Sequence, residues 1–243
     1  MTEAALRVEN VTAGYVRDLP VLRNVSVTLD KASITVIIGP NGAGKSTLIK
    51  AIAGLLPITS GTILLGDKDV SRIRPDELAK YAISYVPQND NIFRTLTIRQ
   101  NLELVLRKKR HEAADRLNYL FARFRPLEEK QHEKAGSLSG GQRQMLAVAM
   151  ALATRPSIIL MDEPTAGLSP KAAQEVLELA KGLTEHGVSI LLVEQNVKQS
   201  LKIADHCYIL AEGRNQLDGK AADLLRDPMV GEIYLGGKRT VAT

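Results

Sequence analysis

The chain has 243 residues, 44% hydrophobic and 24% charged, the balance of a folded globular protein with room for one large α/β domain or for one domain carrying an insertion. Its one cysteine, Cys207, excludes an internal disulfide and fits a reducing compartment, the apolar runs at 147–153 and 158–161 are too short to span a bilayer, and residues 1–10 lack the basic-then-apolar order of a signal peptide. The net charge of +5 includes the run Arg107-Lys108-Lys109-Arg110, but Glu112 and Asp115 follow at once and no aromatic residue interleaves, so the run reads as a solvated helix face and nucleic acid is not an expected partner.

In chain order, apolar residues alternate at Leu6, Val8 and Val11 and again at Val21, Val25, Val27 and Leu29, as in half-buried strands. Residues 34–38 form a short β-branched run that meets a glycine-rich loop, and a helix over 45–53 stops at Gly54. Residues 58–70 predict a hairpin with turn residues at Ser60-Gly61 and Gly66-Asp67. From about Gln88 to Ala153 helical spacing takes over: Leu102, Val105 and Leu106 share one face, and Leu117, Leu120, Phe121 and Phe124 another. Strand character returns at 158–161 and 189–193, with a helix between them that buries Val176, Leu177, Ala180 and Leu183. This order predicts an α/β core spanning 6–237 with an antiparallel β region, a helical subdomain inserted at about 89–155, and a frayed tail at 238–243.

Three segments carry chemistry. Gly39-Pro40-Asn41-Gly42-Ala43-Gly44-Lys45-Ser46-Thr47 matches the P-loop pattern G-x4-G-K-S/T, between a buried strand and a helix. Glycines let the backbone curl so that several N–H groups face one phosphate chain, and the helix N-terminus adds its positive end. Lys45 is then expected on the β- and γ-phosphates and Ser46 on magnesium; the motif alone does not separate ATPases, GTPases and kinases. Second, Ile158-Ile159-Leu160-Met161-Asp162-Glu163 reads as a buried parallel strand delivering two acids to its C-terminal edge. Asp162 is expected on the metal, and Glu163 is expected to orient the attacking water and accept its proton. Third, Leu138-Ser139-Gly140-Gly141-Gln142 precedes a strong helix, a capped and glycine-opened helix end suited to an anion held by another subunit.

With these motifs in this order, the sequence resembles the nucleotide-binding subunits of ABC transporters over nearly its whole length. The resemblance implies a P-loop NTPase core, a mixed sheet with an antiparallel β subdomain and an inserted helical subdomain. It also implies ATP with Mg2+ and head-to-tail pairing, in which Ser139, Gly140, Gly141 and Gln142 meet the nucleotide held by the partner's P-loop. It assigns Tyr15 to the adenine ring and Gln88 to sensing magnesium and γ-phosphate. Transmembrane permease subunits are the implied partners, so the chain sits peripherally on the cytoplasmic face of the cell membrane. Two positions depart from the common family pattern. Ser169 stands where many relatives have aspartate, although Ser169-Pro170 still suits a helix start. Gln195 stands at the switch histidine: its amide donates a hydrogen bond but carries no proton or positive charge at neutral pH, so slower hydrolysis at this chain's own site is expected. The stretch Leu192-Val193-Glu194-Gln195-Asn196, residues 144–147 and the closing Tyr234-Leu235-Gly236 resemble ATPases of branched-chain amino-acid importers and of the related urea and amide importers. That group pairs two different chains, which favours a heterodimer over a homodimer. Gln88 differs from the glutamate that many of those subunits carry. The alternatives are an ABC ATPase of another transport system or a regulatory half-site with weak hydrolysis. The interval between P-loop and signature is too short for the coiled-coil arms of DNA-maintenance relatives, a single P-loop argues against a ribosome-acting relative, and the signature and a missing N-K-x-D motif exclude a GTP switch.

Overall fold

The alternating N-terminal segments form β1 (Ala4–Ala13) and β2 (Leu22–Asp30), which pair antiparallel and turn Leu6, Val8, Val11, Val25, Val27 and Leu29 inward. There follow β3 (Ile34–Ile38), α1 (Lys45–Ile52), β4 (Ile58–Leu65), β5 (Lys68–Asp69) and β6 (Ile83–Val86). Helices α2 (Ile98–Leu106), α3 (Ala113–Arg123), α4 (Arg125–Glu128) and α5 (Gly140–Ala153) then lie between β6 and β7 (Ile158–Asp162). The chain continues through α6 (Pro170–Thr184), β8 (Ser189–Val193), α7 (Val197–Ile203), β9 (His206–Ala211), β10 (Arg214–Lys220) and α8 (Ala221–Leu224). This computed structural model describes residues 3–16, 18–89, 91–227 and 230, without the side chains of 108–110. Three of the four basic side chains of 107–110, Tyr234-Leu235-Gly236 and the expected frayed tail at 238–243 lie outside the described residues.

Two sheets result, as expected for this fold class. A four-stranded antiparallel sheet runs β2-β1-β4-β5, and a six-stranded sheet runs β10-β9-β3-β8-β7-β6. In the second sheet β9, β3, β8, β7 and β6 are parallel, and only β10 runs antiparallel. Every residue of β3, β7 and β8 is buried, because both faces of that sheet are covered. Alternation sorts their side chains: Ile159, Met161, Ile190 and Leu192 join α5 and α6 on one face, while Leu160, Leu191 and Val193 join α1 and the antiparallel sheet on the other. Truncating one of these to alanine is expected to cost about 2–5 kcal/mol.

One expected turn is corrected. Gly66-Asp67 does close the β4–β5 hairpin, but Ser60-Gly61 lies within β4. Gly61 has φ +86°, and a Cβ there would approach Asn10 O to 2.4 Å. The β1–β4 register shifts between Glu9 and Thr12 at this point, so the glycine marks a bulge pressed against β1. The hairpin β9–β10 has no counterpart among the expected elements. Cys207, on β9, is fully buried, and burial pushes its thiol up to about 12, so it is chemically inert in the folded chain.

Candidate active site

Parallel strands end at one edge of their sheet, and that is where ligands sit in open α/β folds. Here the neighbours β3, β8, β7 and β6 release Gly39, Glu194-Gln195, Asp162-Glu163 and Gln88 at that edge. Four segments far apart in sequence are thereby brought side by side.

The loop after β3 curls from Gly39 into α1. Gly44 is the N-cap of α1 with φ +97° and no side-chain cap bond, and a Cβ there would meet Leu22 Cδ2 at 2.7 Å, so both backbone and space require glycine. The first N–H groups of α1 are thus not taken up by a capping side chain, the arrangement that favours a bound phosphate. Pro40, Asn41 and Gly42 form an exposed crest, whereas Ala43, Gly44, Lys45 and Thr47 are buried. Lys45 Nζ folds back to donate to the carbonyls of Gly39 (2.9 Å) and Pro40 (3.1 Å). Burial lowers its pKa, opposed by the negative charges of Glu163, Asp162 and Glu194.

Ser46 Oγ, in the first turn of α1, donates to Asp162 Oδ1 at 2.8 Å, and the Tyr85 hydroxyl reaches Asp162 Oδ2 at 3.4 Å. Burial raises the pKa of Asp162, countered first by the Ser46 hydrogen bond, while the charge of Glu163 adds to the rise. Burial likewise raises the pKa of Tyr85, with Asp162 adding, so its phenol stays protonated. Glu163 is 6% exposed and has φ +47°, a left-handed backbone that costs a non-glycine residue about 1–3 kcal/mol. The strain is held by its N–H donating to Val193 O (2.9 Å) and its carbonyl accepting from Ala166 N–H (3.1 Å). Its Oε2 accepts from Gln88 Nε2 at 2.9 Å and from Gln195 Nε2 at 2.7 Å. Three side chains singled out from separate stretches therefore meet at one carboxylate oxygen.

Ser139–Gln142 lie elsewhere, at the opening of α5. Ser139 caps the helix: its Oγ accepts from Gln142 N–H (3.3 Å), and Gln142 Oε1 accepts from Ser139 N–H (3.2 Å), a closed capping box. A Cβ on Gly140 would come within 2.8 Å of Leu168 Cδ2, and one on Gly141 within 3.0 Å of Ala172 Cβ. Both glycines thus let the α5 opening press on the start of α6. Among the described residues, the hydrogen bonds of Ser139–Gln142 stay within this helix opening, and none reaches the loop after β3. Ser169 caps α6, accepting from Ala172 N–H (3.3 Å) with Pro170 in the first turn. Tyr15 is 62% exposed, its ring 6.0 Å from Lys50 Nζ, and its hydrogen bonds, unlike those of Ser46 and Tyr85, do not reach Asp162 or Glu163 among the described residues.

Two residues at this edge had no role assigned from sequence: Tyr85, on Asp162, and Glu194, buried to 1% exposure. A signal for Glu194 was present, because it follows the apolar run of β8 as Glu163 follows that of β7.

The ABC transporter family profile matches residues 22–166. The chain is 40% identical over 233 residues to the probable branched-chain amino acid transport ATP-binding protein LivF of Archaeoglobus fulgidus, covering 95% of this chain and 98% of that one. It is 33% identical over 237 residues to the lipopolysaccharide export system ATP-binding protein LptB of Escherichia coli K12, covering 96% and 98%. A solved dimeric post-hydrolysis state of an ATP-binding cassette, bound to ADP and Pi, superimposes with a TM-score of 0.77 at 29% identity, covering 89% of this chain and 98% of that one.

Proposed function

Because the chain belongs to the ABC transporter ATP-binding family, we propose that its ATPase activity powers import of branched-chain amino acids or related small polar solutes. The observation that carries the catalytic reading is the pairing of Ser46 with Asp162 next to the meeting of Gln88 and Gln195 on Glu163. Gly39 to Thr47 cradle the phosphates of ATP, and Lys45 leaves the Gly39 and Pro40 carbonyls for the β- and γ-phosphate oxygens. Tyr15 stacks on the adenine ring. Ser46 Oγ and Asp162, which the structure brings together, and the side-chain oxygen of Gln88 from the neighbouring strand end would supply the oxygen donors that suit a hard divalent cation, Mg2+. An ion held by these residues would supply charge neutralisation at the phosphoryl oxygens.

Glu163 orients the attacking water and takes its proton. A carboxylate offers about four acceptor directions, so the two amides on Oε2 orient it and still leave room for water. Gln88 and Gln195 hold that carboxylate in place, and Gln195 donates to the γ-phosphate once nucleotide is bound. With an amide in place of an imidazole, this site turns over more slowly than one with a switch histidine.

ABC ATPases work as dimers with transmembrane permease partners. Among the described residues no helix is long and apolar enough to cross a membrane. On this proposal the chain sits peripherally at the cytoplasmic face of the cell membrane, with its helical subdomain at about 89–155 toward the permease. Ser139–Gln142 close over nucleotide held by the second subunit, for which a different chain with a switch histidine is favoured over a second copy of this one. A second reading, a non-import system, is favoured by the likeness to LptB across 96% of the chain. Affinity purification from native membranes, with the co-purifying chains identified, tests both points. A second ATPase chain with a switch histidine supports the asymmetric pair, and self-pairing overturns it. Uptake of labelled leucine by the assembled complex supports the import reading; ATP-dependent export without such uptake overturns it.

A further inference from the structure

We propose that Glu194 is a positioning residue that ties the loop following Glu163 to the switch loop, and so sets the Glu163–Gln195 contact. The inference rests on the reading of Glu163 as the base. Glu194 directly follows β8, and its N–H donates to Ile37 O at 3.1 Å, which fixes its backbone to the central strand β3. At 1% exposure its carboxylate is out of water, and a buried charge is tolerated only where its oxygens are hydrogen-bonded. The two oxygens divide that task. Oε1 accepts from Thr165 N–H at 2.9 Å, two residues after Glu163, and Oε2 accepts from Gln195 N–H at 3.1 Å, with Asn196 N–H also bonding the group. Burial pushes its pKa up, and hydrogen bonding from the Thr165 side chain and from the N–H groups of Thr165, Gln195 and Asn196 holds it down.

Side chains do not fill the space between these loops. A cavity of about 220 Å3 lies between them, bordered by Glu163, Thr165, Leu168, Glu194, Gln195 and Gln199. The Glu194 carboxylate spans the gap beside it. Glu163 stands in left-handed backbone two residues before the tethered Thr165, and Gln195 stands just after Glu194, so the Glu194 carboxylate ties the segments on both sides of the 2.7 Å Gln195–Glu163 hydrogen bond, alongside the Glu163 N–H bond to Val193 O. A carboxylate has two acceptor atoms and no donor, which is what two facing N–H groups require; an amide would turn a donor toward one of them.

The test measures ATP turnover and Mg-ATP affinity in the full chain assembled with its membrane subunits, for wild type, Glu194→Gln, Glu194→Asp and Glu163→Gln. Glu194→Gln is expected to lower kcat roughly 10- to 100-fold, the scale of a displaced catalytic group. ATP affinity should stay within about twofold and the unfolding temperature close to wild type, because the lost interaction acts on the chemical step. Glu194→Asp keeps both oxygens but is one methylene short, and should fall between the two. A folded Glu194→Gln with wild-type kcat overturns the inference, as does a rise in KM with kcat unchanged. Failure of both Glu194 variants to fold makes the residue a stability element and also overturns it. Glu163→Gln separates the two claims: if it retains turnover, the base assignment itself fails; if it is inactive while Glu194→Gln is not slowed, only the positioning role fails.

Discussion

Two glycine-containing helix openings do opposite things with their backbone N–H groups. At α1 the N-cap is Gly44, left-handed and without a side chain, so no cap is made and the helix end is left for a phosphate. At α5 the N-cap is Ser139, whose capping box with Gln142 already satisfies donors at both ends of the box. The glycines differ in the same way. Gly44 is required by its dihedral angle and by Leu22, in the wall of the nucleotide loop itself. Gly140 and Gly141 lie close against Leu168 and Ala172, which belong to the loop and helix following Glu163. Under the proposed function the first opening is a ligand site in its own chain. The second is a self-contained surface, seated on the segment that carries Glu163 and, under the same proposal, pressed against a nucleotide held by another subunit.

Substitutions at the two openings test this contrast. The largest effect is expected from Lys45→Ala, which removes the ammonium now folded onto Gly39 and Pro40. Mg-ATP affinity, measured by nucleotide titration, should fall by roughly two orders of magnitude or more. Retained tight binding would sink the assignment of the loop after β3 as the nucleotide site. Gly44→Ala should follow, since it must take up a left-handed backbone and displace Leu22; a loss of about 3 kcal/mol in denaturant unfolding is expected. Ser139→Ala should cost only about 1 kcal/mol, the value of a lost N-cap, and leave ATP binding to the isolated chain unchanged while slowing hydrolysis by the dimer. Weaker ATP binding by the isolated Ser139→Ala chain would mean that the α5 opening serves its own pocket after all. The smallest effect is expected from Gln195→His: a few-fold gain in turnover, with a new dependence on pH near about 6.5 that the amide cannot supply. An unchanged rate and a flat profile in the assembled complex would remove the switch argument.

How legible these features were depended on how local they are. The run from Gly39 to Thr47 is contiguous, its glycines are required by backbone geometry, and its context of buried strand and helix is written in adjacent residues. The capping box was half legible: Ser139 announced itself as an N-cap, but the return bond from Gln142 and the packing of Gly140 and Gly141 on α6 did not. Ser60-Gly61 misled because a glycine serving a bulge and a glycine serving a turn look alike until the partner strand is known; here the carbonyl of Asn10 decides. Glu194 stood in a segment that had been singled out and Tyr85 three residues before Gln88, and neither had a role, since what each does depends on a partner from another strand.

By itself, then, the sequence determined the phosphate loop, the acidic strand end, the helix openings and the layout of an α/β core interrupted by helices. Each follows from short-range rules of backbone conformation, side-chain periodicity and capping. Only the tertiary structure decided that Ser46 bonds Asp162 across 116 residues of chain, and that Gln88 and Gln195, 75 and 32 residues from Glu163, share one oxygen of its carboxylate. It also decided that Glu194 holds the loops on either side together. The physical reason is the parallel sheet. Parallel pairing of β3, β8, β7 and β6 brings their C-terminal ends to one edge, and strand order, which no local pattern encodes, chooses which side chains become neighbours there.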